Sequence, residues 1–132
     1  QHGGWIARWA EKIRRSDLPV PGDVTIRTFD SDTSFVFGSD TLRVFLAPGH
    51  TAGSAAYLFR GNLFAGDAIA KTWLSGFRPA RGGYSDDTAE ALRSLESLRE
   101  RLAPYEVRWI CSAHLKCSAV TDEFWADLLE RP

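Results

Sequence analysis

The sequence predicts that residues 1–132 form a single α/β domain in which strands pack against helices. The chain has 132 residues, a length typical of one domain with one core. Several short stretches alternate apolar and polar side chains, and three longer ones repeat apolar side chains at helical spacing. A chain of this length buries roughly two-thirds of its unfolded surface, so a bound metal would serve chemistry rather than folding.

The first half of the chain is predicted to contain one helix followed by five strands. Helical spacing predicts an amphipathic helix over residues 5–13, and Pro19 and Pro21 end the pattern. From residue 24 onward the apolar period shortens to that of a strand. The predicted strands cover residues 24–28, 35–37, 42–46, 55–59 and 63–65. The dipeptide Gly61-Asn62 predicts the tight turn of a hairpin between the last two.

Residues 71–85 are predicted to form a long loop near the presumed site, because glycines and prolines interrupt every period there. A helix then begins at Asp87, since Asp87 and Glu90 have the spacing of a capping box, and it ends before Pro104. Its apolar stripe consists of Leu92, Leu95, Leu98 and Leu102.

The C-terminal part is predicted to add one strand and one helix. The alternation of Val107, Trp109 and Cys111 predicts a strand with Cys111 on its buried face. Thr121 has the character of a helix N-cap. The buried face of this last helix is predicted to consist of Phe124, Trp125, Leu128 and Leu129.

The amino-acid composition argues against some classes of binding partner. Sixteen basic residues stand against 17 acidic ones, with 44% hydrophobic and 25% charged residues, which excludes a disordered tail. Balanced charge gives no electrostatic reason to expect nucleic acid or membrane binding, so a small-molecule substrate is expected. No apolar run reaches the roughly 18 residues of a membrane span. The two cysteines are too few for a disulfide framework and favour a cytoplasmic location.

Two histidines and one aspartate follow predicted strands. His50 comes after the strand that ends at Leu46, within the segment PGHTAGS. Asp67 ends the apolar segment LFAGD, and His114 follows the strand that contains Cys111. Imidazole nitrogens and carboxylate oxygens are common metal ligands, and strand ends can bring them together.

The segments PGHTAGS and LFAGD, a leucine-rich helix and a strand ending in histidine resemble the second half of the metallo-β-lactamase superfamily of metal-dependent hydrolases. The resemblance covers residue 24 to the end of the chain. It implies an αββα sandwich, incomplete here because the first sheet is partly missing. It also implies that His50 binds a first metal, that Asp67 bridges two metals as the candidate catalytic residue, and that His114 binds the second. The metals would be zinc, or else iron or manganese.

In this family a metal-bound hydroxide hydrolyses esters, thioesters, lactones, β-lactams or phosphodiesters. Complete members carry an HxHxDH motif ahead of these residues, and this sequence has none. The chain begins with Gln1 and contains no methionine, which indicates truncation or processing. His2 is then a remnant of the missing region and a fourth candidate ligand.

The missing motif leaves the predicted site short of ligands, because a catalytic zinc needs about three protein ligands. Metal in this chain is therefore expected to be substoichiometric or absent, and the chain alone inactive, with activity in the parent assembly. One ion held jointly by His50, Asp67 and His114 is an alternative. Four side chains on the predicted loop could bind an anionic substrate, although charge on a loop is also ordinary solvated surface. They are Lys71, Arg78, Arg81 and Tyr84.

Cys111, His114 and Cys117 have the spacing C-x2-H-x2-C, which can bind zinc, but a buried Cys111 and the lack of a fourth ligand favour a structural role. Two other functional readings remain. One is a non-catalytic binding or interaction domain of the same fold, and the other is a plain α/β domain whose motif residues lie far apart. An incomplete first sheet would also expose an apolar face, so a homo-oligomer or the missing N-terminal segment is expected to cover it.

Overall fold

The computed structural model describes residues 22–72, 76–79, 85–114, 116–121 and 123–130, and the helix predicted over residues 5–13 lies outside them. Six strands come first in the described chain: β1 (Thr33–Phe37), β2 (Asp40–Leu46), β3 (Ala55–Phe59), β4 (Asn62–Gly66), β5 (Ile69–Thr72) and β6 (Gly76–Pro79). They are followed by α1 (Thr88–Leu102), β7 (Trp109–Ser112), β8 (Ser118–Ala119) and α2 (Phe124–Glu130).

Two sheets are formed by these strands. The larger has the order β1-β2-β3-β4-β7-β8, and β5 pairs with β6 in the smaller. Neighbours in the large sheet are antiparallel except β4 and β7, which run parallel because the chain returns through α1. Parallel strands end at the same edge of a sheet. The segments that follow β4 and β7 are thereby brought to one edge.

One face of the large sheet packs into the core with both helices. Leu63 and Ile110 from the sheet and Leu98 from α1 are all completely buried. Phe124 and Leu128 of α2 belong to the same cluster. Burial of each such side chain contributes about 1.5–3 kcal/mol to folding. The predicted leucine stripe of α1 and the apolar face of α2 therefore build the core as expected.

The opposite face of the same sheet carries large aromatic side chains. Tyr57 pairs with Phe64, and Phe64 pairs with Cys111, so these side chains alternate with the core residues of their strands. Tyr57, Phe64 and Trp109 are 36%, 45% and 46% exposed. Phe37 at the sheet edge is also exposed. The structure thus has an apolar face of the kind that the incomplete first sheet predicts.

Four sequence-based expectations were wrong in detail. Residues 24–28 belong to neither sheet, and Val24 and Ile26 are exposed, because alternation forms a strand only where a neighbour completes the ladder. The predicted loop over residues 71–85 contains part of the β5–β6 pair. Glycines and a proline interrupt the apolar alternation there, so the sequence pattern did not predict these strands.

The other two corrections concern positions within predicted strands. The hairpin turn is centred on Arg60 and Gly61, which both have positive φ (48° and 75°), so Asn62 is already the first residue of β4. In β7, Ile110 is the buried residue, whereas Cys111 lies on the other face with Trp109. The chain pattern around this strand was apolar on both faces and could not decide between them.

Among the described residues, the longest helix has 15 residues, and none is long and apolar enough to cross a membrane.

Candidate metal centre

His50 lies in the loop between β2 and β3, and short hydrogen bonds shape this loop. Ala47 N donates to Ser54 O across its base at 2.8 Å. Thr51 N donates to Ser54 Oγ at 3.0 Å, so Ser54 serves the turn. The His50 side chain is 24% exposed. Its Nδ1 is buried without a hydrogen-bond partner in the described part of the chain, and its Nε2 lies 3.7 Å from Asp67 Oδ2.

Gly49 sets the position of His50 against the first turn of α1. Its φ is +131°, and a Cβ at this position would lie 2.2 Å from Ala91 N and 2.3 Å from Ala91 Cα. Only glycine allows both this backbone conformation and this close approach. Asp87 N donates to Gly49 O at 2.9 Å, and Asp86 N donates to His50 O at 3.1 Å. The start of α1 is therefore attached directly to the histidine loop.

The N-cap of α1 stabilises the helix end that contacts the His50 loop. Asp87 has extended backbone angles, and its Oδ1 accepts a hydrogen bond from Glu90 N at 2.8 Å. The predicted capping-box position is thus confirmed for the aspartate. Its contribution to the site is indirect, because a firmly capped α1 keeps Ala91 against Gly49.

Asp67 follows β4 at the edge to which the parallel β7 also runs. Gly66, which precedes it, has a φ of +55°, and Ala68 N donates to Ala65 O at 3.1 Å. This tight turn directs the chain out of β4. The Asp67 side chain is 38% exposed.

His114 reaches Asp67 from the other side. Ala113 N donates to Gly66 O at 3.1 Å, so the residues just before Asp67 and His114 are bonded to each other. His114 Nε2 lies 3.0 Å from Asp67 Oδ1. The His114 side chain is 85% exposed, in contrast to His50.

The Asp67 carboxylate therefore lies between two imidazoles, with a different oxygen facing each one. The separation of 3.7 Å on the His50 side is too long for a hydrogen bond. Two ligands bound to one tetrahedral zinc at about 2.1 Å lie roughly 3.4 Å apart, which is close to this spacing. The reading that required His50, Asp67 and His114 to lie far apart is wrong.

The donors among the described residues suit zinc in their chemistry, but they are too few to complete its coordination shell. Imidazole and carboxylate are both zinc ligands. Within the described ranges no group of three or more His, Cys, Asp or Glu side chains is arranged to hold one ion. His50 and His114 face different oxygens of Asp67, as a carboxylate shared between two ions would require. His2 lies outside the described residues.

The predicted substrate-binding residues are only partly described. Lys71 lies in β5, where its ammonium donates to Ser118 Oγ and lies 5.0 Å from the centre of the Phe77 ring. Arg78 lies in β6. Arg81 and Tyr84 lie outside the described residues. Contact of these four side chains with a substrate stays a prediction.

A disulfide that sequence reasoning missed joins Cys111 and Cys117 on either side of His114. This excludes the zinc-binding alternative for the oxidised chain, since neither sulfur is a free thiolate. The signal that could have revealed it is the pairing of β7 with β8, where Ile110 faces Ser118. Residues next to such a pair come close enough for a disulfide. The two-residue strand β8 was not predicted.

Comparison with known proteins gives relatives in sequence and in structure. No protein-family model matches the chain. Hydroxyacylglutathione hydrolase of Halorhodospira halophila is 41% identical over 75 residues, which cover 52% of this chain and 28% of that protein. The protein of the same name from Gloeobacter violaceus is 38% identical over 90 residues, which cover 66% of this chain and 32% of that protein.

A solved metallo-β-lactamase from Pontibacter korlensis superposes with a TM-score of 0.60 at 20% identity. The alignment covers 78% of this chain and 46% of that structure. The chain thus spans about a third of the length of the curated relatives it matches. The structural likeness confirms the expected α/β fold of the metallo-β-lactamase type. Together with the sequence relatives, this likeness supports the assignment of the chain to the metallo-β-lactamase superfamily.

Proposed function

We propose that this chain contributes part of the active site of a metal-dependent hydrolase, with His50 and Asp67 on one metal ion and Asp67 and His114 on a second. The single observation that carries the proposal is the Asp67 carboxylate, which faces one imidazole with each of its oxygens. Members of this superfamily generally bind metal ions, usually zinc. We propose zinc here, with iron and manganese as alternatives for the same donors.

The protein groups have separable tasks in this proposal. Asp67 supplies negative charge to both ion positions, which lowers the repulsion between two cations. His50 and His114 each direct Nε2 toward Asp67, and each would bind its ion through that nitrogen. Zinc, when bound by these residues, would supply a Lewis acid for the substrate oxygen and would lower the pKa of bound water to about 7. Lys71, Arg78, Arg81 and Tyr84 are proposed to contact the substrate.

Thioester hydrolysis is the reaction we propose first, because two relatives are named hydroxyacylglutathione hydrolase. Esters, lactones, β-lactams and phosphodiesters are the other substrate classes to test. The proposal concerns the assembled protein, since the ligands described here do not complete the coordination of either ion. A cytoplasmic location also stays a proposal, and the Cys111–Cys117 disulfide argues against it because such bonds are rare in that compartment.

Metal analysis of single histidine variants tests the ligand assignment. The purified chain is expected to bind zinc substoichiometrically, and His50→Ala and His114→Ala are each expected to lower the bound zinc further, because each removes one of the few ligands present. Zinc per chain is measured by mass spectrometry after equilibrium dialysis. His2→Ala in parallel shows whether the third histidine takes part. Unchanged zinc in both of the first two variants would assign the ligands elsewhere.

A non-catalytic binding domain of the same fold is the second candidate. The observation that favours it is the small number of ligands among the described residues. The two candidates differ in a reconstitution experiment. Addition of a segment that carries the HxHxDH motif would raise zinc binding and produce hydrolysis if the chain is part of an enzyme, and would change neither if it is a binding domain.

The exposed aromatic face is proposed to pack against the first-sheet half of the same fold. The support is the span of the chain, which covers only 28% to 32% of its curated relatives. Apolar faces of this kind are rare on monomers. Without that half, the face is expected to pair with a second copy.

Light scattering at high concentration measures the self-association of the isolated chain. Phe64→Lys is expected to reduce it, because a charge enters the middle of the face. Val36→Lys is a matched control, since Val36 is 71% exposed and lies on the other side of edge strand β1. A monodisperse monomer before any substitution would contradict the proposal.

A further inference from the structure

The disulfide between Cys111 and Cys117 encloses His114 in a short loop. We propose that this disulfide is a positioning element that holds His114 beside Asp67. The affinity of the metal position formed by His114 and Asp67 for a divalent cation then depends on whether the disulfide is closed. The inference rests on the proposed function for its metal, and on the geometry of the loop for its mechanism.

Few other contacts of the described residues hold His114 in place. Its side chain is 85% exposed, so no surrounding core fixes the ring. The neighbouring Ala113 N donates one hydrogen bond, to Gly66 O. The hairpin that carries the loop has only two residue pairs, Trp109 with Ala119 and Ile110 with Ser118. β7 is held in the large sheet by β4, but β8 is an edge strand with only these two pairs, so few backbone hydrogen bonds hold the segment that follows His114.

The disulfide adds the constraint that these contacts lack. It links positions six apart in the chain and brings their Cα atoms to 4.1 Å. The Cys117 arm is itself attached to the body of the domain, since the next residue, Ser118, accepts a hydrogen bond from Lys71 of β5. Closing the loop between two anchored ends removes conformations in which His114 lies away from Asp67.

His50 is held in a different way, and this creates an asymmetry between the two ligands. The His50 loop contacts α1 through Gly49 and Ala91, and Asp86 N donates to His50 O. None of these contacts involves the disulfide. Opening the disulfide should therefore change the position of His114 and leave that of His50 unchanged.

Opening the disulfide is a two-electron reduction. A dithiol reductant supplies two electrons and two protons, the sulfur–sulfur bond breaks into two thiols, and the reductant closes its own disulfide. The free thiols of Cys111 and Cys117 would then be soft zinc ligands beside His114. Chemical reduction would therefore both release the His114 loop and add two zinc ligands. Substitution of both cysteines by serine releases the loop without adding a thiolate.

The test compares zinc affinity with the disulfide intact and with Cys111→Ser/Cys117→Ser, measured by competition with a chromophoric chelator. The same pair of proteins is made in the His50→Ala and His114→Ala backgrounds. Loss of the disulfide is expected to weaken zinc binding about tenfold in the wild-type and His50→Ala backgrounds, the size typical for groups that orient a metal ligand. No further weakening is expected in the His114→Ala background, because the ligand through which the disulfide acts is already gone.

Hydrogen exchange of the Ala113 amide gives a metal-free readout. Because this amide donates to Gly66 O beside Asp67, its exchange is expected to accelerate in the serine variant while the Ala91 amide in α1 stays protected. Unchanged exchange at Ala113 together with equal zinc affinity would overturn the inference. Equal weakening in all three backgrounds would also overturn it, since it would show a general loss of structure. If the oxidised chain binds no zinc, the proposed function fails, and exchange at Ala113 alone decides whether the disulfide positions the loop.

Discussion

Asp67→Asn is expected to remove zinc binding almost completely, with an affinity loss of more than about 100-fold. The reason is that Asp67 is the one described side chain that faces both histidines, so its loss affects both proposed ion positions at once. An amide keeps the shape of the side chain but carries no charge and presents one oxygen instead of two. Removal of a group that only orients a ligand costs 10-fold to 100-fold, and a shared ligand should cost more.

The fold should tolerate this substitution. Asp67 is 38% exposed, and exposed ion pairs contribute about 0–1 kcal/mol to stability. Zinc affinity by chelator competition and the free energy of unfolding by denaturant titration together separate the two effects. Asp86→Asn is the matched control, because it removes the same charge from an exposed residue whose backbone amide contacts His50 O. An Asp67→Asn variant that binds zinc as tightly as the Asp86→Asn variant would contradict the shared-carboxylate arrangement.

Gly49→Ala is expected to produce the largest loss of stability of any single methyl group added in the loop between β2 and β3. The new Cβ would lie 2.2 Å and 2.3 Å from backbone atoms of Ala91, which cannot move aside without shifting α1. The φ of +131° adds strain of about 1–3 kcal/mol for any residue with a Cβ. Together we expect the free energy of unfolding to fall by at least about 3 kcal/mol. His50 should move away from Asp67 as the loop separates from α1.

Gly53→Ala provides the control for this prediction. Gly53 lies in the same loop, and a Cβ added there would have no atom within 4 Å. Its φ lies outside the left-handed region that strains residues with a side chain. Its substitution is expected to change stability by less than about 1 kcal/mol. Denaturant unfolding of both variants, with zinc binding measured on each, makes the comparison. Equal stability of the two variants would mean that the close approach of Gly49 to α1 is not maintained in solution.

Sequence patterns predicted most of the elements that surround the site. Strands β1 to β4 lie where alternation predicts them, and α1 begins directly after Asp87, the N-cap that the capping-box spacing predicts. These features depend on neighbours along the chain, which a sequence displays directly. The resemblance carried by PGHTAGS and LFAGD predicts the same superfamily that the sequence relatives and the structural likeness support, because it combines residue types with the strand ends that position them.

The features that were missed depend on neighbours in space. The β5–β6 pair, the short strand β8 and the exposure of residues 24–28 all depend on which segment completes a ladder. The burial of Ile110 rather than Cys111 depends on which face of β7 meets the helices. The disulfide follows from the same pairing, since β8 returns Cys117 to Cys111.

The sequence by itself determined that His50, Asp67 and His114 each follow a strand, and that their side chains have the chemistry of metal ligands. Only the tertiary structure decided that they meet, because β2, β4 and β7 run in the same direction and end at one edge of the large sheet. The contact of Gly49 with α1 then fixes the loop that carries His50. Local chain chemistry sets where an element begins and ends. The distance between two imidazoles and a carboxylate is set by packing between elements that are remote in the chain, and no local pattern contains it.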